Sequence, residues 1–303
     1  MSALTHVGTE VSTDRSDLMA KSSGRALRDR LARFVMWGSF ALACVPLVWI
    51  LVSTLLKGGH MLLSLDWWTL SQNGITARRV GGGAAHAIQG TLLQALVTAA
   101  MSVPIGVFTA IYLVEYGRGR LAKVVSFMVD ILTGVPSIVA ALFIYALWVT
   151  TFGFQRVPFA VTLALTLLMI PTIVRSTEEM LKLVPNELRE ASYALGVPKW
   201  KTITSIVLPT AFSGIVTGIL LGLARVMGET APLIILGPYT KSMAHNLFDG
   251  LMGTLPTMIN QDRTEALQPA IDRVWGAALT LIILILLLNL LGRVIARSSK
   301  VRR

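Results

Sequence analysis

The chain has 303 residues, of which 54% are hydrophobic and 14% charged, and it carries a formal charge of +11 at neutral pH. So little charge over so much apolar sequence excludes an ordinary soluble domain and places most of the chain against lipid. Nucleic-acid binding is disfavoured too, because Lys and Arg fall between long apolar runs and form no basic stripe.

A helix crossing a hydrocarbon core of about 30 Å needs roughly 20 mainly apolar residues. Six stretches qualify, at 34–56, 89–113, 125–149, 157–173, 212–236 and 274–296. The expected architecture is therefore an all-α integral membrane protein with six transmembrane helices. Residues 1–33, rich in Ser, Thr and charge, read as a flexible cytoplasmic tail with at most a short helix near Arg25. The first span is too long for the apolar centre of a signal peptide and has no small-residue cleavage site after it, so it is expected to stay uncleaved. Cys44, the single cysteine, lies inside this span, which rules out an intrachain disulfide and leaves it packing as a small apolar residue.

Residues 57–88 form an expected external loop, with Trp67 and Trp68 suited to a membrane-interface belt and a Gly81-Gly82-Gly83 run. Glu115, at the end of the second span, and Asp130, about one turn into the third, read as snorkelling or solvated groups. Proline recurs within the spans at Pro46, Pro104, Pro136, Pro171 and Pro232, either loosening helices for transport or simply tolerated in a bundle. A second external loop covers 237–273, Asn289 in the last span suits a helix–helix hydrogen bond, and 297–303 is a basic cytoplasmic tail. With both termini in the cytoplasm, nineteen Lys and Arg lie inside and seven outside, and Arg225 falls within a span, so the positive-inside bias selects that orientation.

The cytoplasmic segment 177–209 holds the most specific pattern. Asn186 is placed to cap a short helix, Glu187 and Glu190 suit its positive end, and Leu188, Ala191 and Leu195 share a face. Gly196 supplies a left-handed stop, with Pro198 preventing continuation. Glu190-Ala191-Ser192, Gly196, nine further residues and then Ile206-Val207-Leu208-Pro209 resemble the EAA loop of ABC-importer permeases. Ser192 stands where the family has alanine, which does not threaten the helix. The resemblance covers the core 89–296 and implies a type I importer fold in which this loop docks on a nucleotide-binding subunit. A capped amphipathic connector without a partner is the plain alternative.

Arg225 and Glu229 lie four residues apart in Gly222-Leu223-Ala224-Arg225-Val226-Met227-Gly228-Glu229-Thr230-Ala231-Pro232, on one face of a helix through 212–236. Charges at that depth are costly unless paired or facing water, so they mark either a substrate path or a purely structural ion pair. The segment resembles the phosphate branch of these permeases, as do Gly134-Val135-Pro136-Ser137-Ile138-Val139 and Tyr112-Leu113-Val114-Glu115-Tyr116. Leu255-Pro256-x-x-Ile259 brings it nearer the A-type of the two phosphate permeases. On this resemblance Arg225 attracts phosphate through its planar fork. Glu229 neutralises Arg225 in the empty path and accepts a hydrogen bond from protonated phosphate, a donor that sulfate lacks.

No G-x-x-x-x-G-K-[ST] loop occurs, so ATP and Mg are expected on a partner ATPase and no cofactor on this chain. His6, His60, His86 and His245 are scattered, without H-E-x-x-H or Cys/His spacing, and G-x-S-x-G is absent, which leaves catalytic and metal residues at none. The family implies a homologous second permease, two ATPase subunits and an external phosphate-binding protein, in the plasma (inner) membrane. The rivals are a sulfate or molybdate permease, an ion-coupled secondary transporter, which would want more spans and acidic residues or broken helices at mid-membrane where only Glu229 qualifies, and a membrane enzyme, which the absence of clustered polar catalytic residues disfavours.

Overall fold

A computed structural model of the chain describes residues 22–298, with side chains over 27–296. The part of the expected N-terminal tail before residue 22, and the part of the basic C-terminal tail after 298, lie outside the described residues. Among the described residues twelve α-helices follow in chain order: α1 (Ser22–Leu62), α2 (Leu65–Thr69), α3 (Ala85–Ile111), α4 (Gly119–Gly134), α5 (Ser137–Tyr145), α6 (Pro158–Lys182), α7 (Asn186–Ala194), α8 (Lys199–Thr202), α9 (Leu208–Gly228), α10 (Ala231–Leu236), α11 (Leu255–Asp262) and α12 (Gln268–Ser298). Three π-helical turns, Tyr112–Tyr116, Ala146–Thr151 and Ile203–Val207, extend α3 and α5 and lead into α9. No strand occurs among the described residues.

The chain divides into a unit ending at Ser53 and a second beginning at Thr54. The first is the greater part of α1, a helix that begins at Ser22, well before the span start expected at 34. Its apolar side chains, from Leu27 through Trp37 and Phe40 to Trp49, are exposed along the helix. Trp37 and Phe40 meet edge to face with centroids 6.0 Å apart.

In the second unit α6 is the central helix. It runs to Lys182, beyond the short span expected at 157–173, because Thr177, Glu178 and Leu181 continue its buried face. Ala160, Val161, Ala164, Leu165, Leu168, Met169, Ile173 and Val174 fill the interior, with α3, α9, α4 and α5 packed around them. Thr162 and Thr166 satisfy their hydroxyls on carbonyls of their own helix, Phe159 and Thr162 respectively, whereas the buried Thr177 hydroxyl has no hydrogen-bond partner among the described residues. Helix α9 approaches through Gly214, Gly218 and Gly222, one glycine per turn. A Cβ at Gly218 would strike the Ser176 side chain, and one at Gly214 the Met180 side chain. Small residues of this kind let helix backbones pack closely where no hydrophobic effect distinguishes helix from lipid.

The ends of the bundle are stitched by specific contacts. At one end Trp67 is 1% exposed and donates through Nε1 to Thr280 Oγ1 at 2.9 Å. It is a core residue there, whereas Trp68 is exposed and bonds the Leu62 carbonyl. The belt expected of the pair therefore fails for Trp67. Nearby, buried Arg273 faces Asp262 at 3.5 Å and donates to the Arg79 carbonyl at 3.0 Å. Tyr239 meets His86 in the same region, and burial, then the Asp262 charge, pushes its hydroxyl pKa up. Asn289 bonds Ile285 of its own helix at 2.9 Å and makes no cross-helix bond there, unlike the sequence expectation.

Gly218→Leu drives a branched side chain into Ser176 and is expected to cost about 1–3 kcal/mol through overpacking. The thermal midpoint of the detergent-purified protein checks this; an unchanged midpoint would mean that α9 does not pack as tightly as described.

Candidate functional site

Two prolines decide where the long apolar helices stop. Pro232 has no N–H for the carbonyl of Gly228, and in a continuous helix its ring would strike that carbonyl. Helix α9 accordingly ends at Gly228, Glu229 takes φ −67° and ψ 137°, and α10 restarts at Ala231 with Pro232 in its first turn. Pro136 acts likewise on the third expected span. Helix α4 ends at Gly134, and Val135 takes φ −70° and ψ 124°, the extended form that a following proline favours. The chain leaves this break at 106°. Pro46, Pro104 and Pro171 sit inside unbroken helices. The segments after the two breaks meet, Ala141 and Ile144 of α5 sharing a core with Leu233 and Leu236 of α10.

The break revises the expected geometry of Arg225 and Glu229. They do not share the face of one continuous helix; Glu229 lies in the gap after α9. Their charges still face each other, with Arg225 Nε 3.7 Å from Glu229 Oε1, side chains 50% and 18% exposed. That distance is an ion pair without a hydrogen bond, which leaves the guanidinium donors available to a ligand. Leu221, Arg225 and Gly228 form the exposed face of α9, while Gly222, Val226 and Met227 are buried.

The segment after α6 builds a second candidate surface. Pro185, and not Asn186, stands at the N-cap of α7, and no side chain caps it; Asn186 Oδ1 instead accepts from Arg189 at 3.3 Å. Glu187 lies in the first turn, as expected for the positive helix end. Gly196 takes φ +75°, its N–H donates to the Tyr193 carbonyl at 2.9 Å, and Val197 N–H donates to Ser192 at 3.2 Å. Helix α7 thus ends in the left-handed turn its glycine allows. Ser192 is buried and its Oγ lies 2.8 Å from Thr202 Oγ1, so the residue that departs from the family alanine joins α7 to α8. Glu190, Ala191, Leu188, Leu195 and Trp200 are exposed. Ile206 sits in the π-turn leading into α9, with Leu208 and Pro209 at the start of that helix.

Sequence reasoning missed two charge clusters. Asp130 pairs with Arg175, which also donates to Glu178 at 2.5 Å and to the Ser126 carbonyl at 3.0 Å, tying α4 to α6. Lys182 completes the set, 2.7 Å from Glu178. Glu115, expected to be solvated, is buried against Arg189 at 2.8 Å. The Arg175, Glu178, Lys182 spacing marks a helix-face ion network and was legible. The Glu115 pair, 74 residues apart, left no such mark.

The described residues thus combine two interrupted apolar helices, a half-exposed and loosely paired arginine, and a short helix with exposed apolar side chains. Residues 102–301 match the family described as binding-protein-dependent transport system inner membrane component. A phosphate transport system permease protein PstA of Mycobacterium leprae is 53% identical over 268 residues, 88% of each chain. PstA 1 of Mycobacterium tuberculosis strain CDC 1551 / Oshkosh is 51% identical over 279 residues, 92% of each. Among solved structures, a bacterial alginate ABC transporter in complex with its alginate-bound periplasmic protein aligns with TM-score 0.64 at 14% identity, covering 91% of this chain and 96% of that one. The methionine ABC transporter MetNI, inward facing, aligns with TM-score 0.59 at 22% identity over 70% and 94%.

The chain belongs to the binding-protein-dependent transport permeases and, within them, to the PstA family. It is a multi-pass inner-membrane protein, with five described helices long and apolar enough to cross a membrane, or six when the bent α4–α5 pair counts as one span.

Gly196→Ala places a Cβ at φ +75° and is expected to cost about 1–2 kcal/mol locally. Amide exchange across 186–202 should quicken while that of α3 stays unchanged; protection equal to wild type would show that the turn does not depend on glycine.

Proposed function

We propose that this chain is the membrane-spanning permease subunit of an ATP-driven importer that carries inorganic phosphate inward, with both termini in the cytoplasm. The observation that carries the substrate reading is Arg225: it is half exposed on a spanning helix, held by Glu229 through an ion pair only. An arginine at that depth is unstable against lipid, so its face turns to a second subunit or to water. Two related permeases with facing α9 helices would enclose a path lined by such groups, and the guanidinium fork fits a tetrahedral oxyanion. The named phosphate permeases among its relatives favour phosphate within that class. Broken helices are also a device of ion-coupled carriers, but here each break follows from a proline and coincides with a segment of the phosphate-branch pattern.

This chain binds no cofactor in that scheme; ATP and Mg sit on two ATPase subunits. Helix α7 offers them Leu188, Ala191 and Leu195, an apolar face that its own chain leaves exposed, in the manner of a helix laid into a partner's groove. External loops meet the phosphate-binding protein.

In proteoliposomes holding the complete importer, with binding protein outside and ATP inside, uptake of labelled phosphate is expected to need ATP and to resist excess sulfate. Arg225→Ala should lower it about tenfold or more, the scale of one lost charge-assisted contact. Glu229→Gln should raise inhibition by sulfate. Sulfate or molybdate competing in the wild type would favour another oxyanion, and uptake on an ion gradient without ATP would favour a secondary transporter. Both variants importing phosphate at the wild-type rate would remove Arg225 and Glu229 from the path. Separately, Leu188→Arg is expected to reduce co-purification of the ATPase subunit by about tenfold or more, since it sets a charge in an apolar contact.

A further inference from the structure

The acidic residue at the end of α3 sits in a π-helical turn, the Gly117 N–H reaching back five residues to the Tyr112 carbonyl at 2.5 Å. The extra residue in such a turn re-aims the side chains that follow. Here Glu115 is turned into the protein, and its side chain is 5% exposed. Its carboxylate oxygen Oε1 accepts from Arg189 Nε at 3.1 Å and from Nη2 at 2.8 Å. The same guanidinium donates to the Leu181 carbonyl at 3.0 Å and the Val184 carbonyl at 2.6 Å. One side chain of α7 thus holds the end of α3 and the end of α6 together.

The other arm of the segment grips the same place. Lys199, the first residue of α8, donates to the Glu115 carbonyl, and its ammonium lies 4.7 Å from the Tyr116 ring centroid. Ser192 and Thr202 join the two arms to each other. An apolar pair would hold these elements together at least as well as a buried ion pair does. A hydrogen-bonded pair adds direction: it fixes how α7 is oriented on α3 and α6.

We propose that Glu115, with Arg189 and Lys199, is a positioning residue that clamps the ATPase-docking segment to α3, so that a displacement of α7 moves the membrane helices instead of being absorbed in the loop. The inference rests on the reading of α7 as the docking helix. Without the carboxylate, Arg189 keeps its carbonyl partners Leu181 and Val184 at the end of α6, so α7 stays in place but loses its own hold on α3, leaving only the Lys199 grip on the Glu115 carbonyl.

The test uses the complete importer in proteoliposomes and reads phosphate imported per ATP hydrolysed, together with the ATPase subunit retained in the complex. The isosteric Glu115→Gln is expected to lower that ratio about fivefold or more, the lower range of a coupling between sites, with hydrolysis continuing and the ATPase still bound. Arg189→Gln should do the same, and the double variant should be no worse than the worse single one, as for two residues of one interaction. If Glu115→Gln is not recovered folded, Lys199→Met, which removes the second grip from a more exposed site, carries the same expectation. A ratio equal to wild type, even with a lowered thermal midpoint, or losses that simply add in the double variant, would overturn the clamp. Leu188→Arg separates the two readings. If it leaves the ATPase bound, the docking assignment fails and the clamp falls with it; if it releases the ATPase while Glu115→Gln keeps the ratio intact, the clamp alone fails.

Discussion

The second unit depends on how closely other helices approach α6. Lipid tails are as apolar as leucine, so a membrane bundle cannot be assembled by hiding hydrophobic surface and relies on close packing and satisfied polar groups. The stripe Gly214, Gly218, Gly222 gives α9 that approach, and Gly106 does so for α3, where a Cβ would lie 2.6 Å from Ile173 Cγ2. Thr162 and Thr166 of α6 bond back to their own helix. The long leucine runs of α12, by contrast, keep Leu286, Leu287, Leu290 and Leu291 exposed, as a lipid-facing surface should.

That packing is also what permits the two breaks. A helix interrupted in hydrocarbon strands backbone groups, which is tolerated where protein surrounds the gap. The short helices after Pro136 and Pro232 pack on each other and on α6. Each is therefore held by a neighbour that is itself interrupted. The prolines within α1, α3 and α6 fall where no such change of direction follows, so residue type alone did not separate a break from a tolerated kink.

The spans were legible because about 20 apolar residues in a row have few other uses. Gly196 was legible for a similar reason, since a glycine followed by proline after an amphipathic turn leaves a helix little choice. What escaped was set by distant partners. Trp67 looks like an interface residue until Thr280 is brought beneath it, and Glu115 looks solvated until a π-turn and Arg189 enclose it. Periodicity treats 212–236 as one helix because Glu229 falls in register with Arg225; the ring of Pro232 overrides that register. Asn186 reads as a cap by its place before the helix, but Pro185 takes the N-cap position of α7 with φ −58° and ψ 141°.

Charge is used in two opposite ways within one chain. At Arg225 the partner is near but not hydrogen-bonded and half the side chain is exposed, so the guanidinium keeps its donors and loses little by exchanging Glu229 for an anion. At Arg189 the side chain is 13% exposed and its donors are spent on a carboxylate and two carbonyls, so no ligand could displace them without unmaking the junction. Burial raises the penalty for breaking a pair as much as for forming one. A loosely held arginine suits a group that must bind and release with each cycle, and a tightly held one suits a joint that must not yield while the rest of the molecule moves. The difference lies in geometry, not residue type, and composition therefore counted both simply as cations.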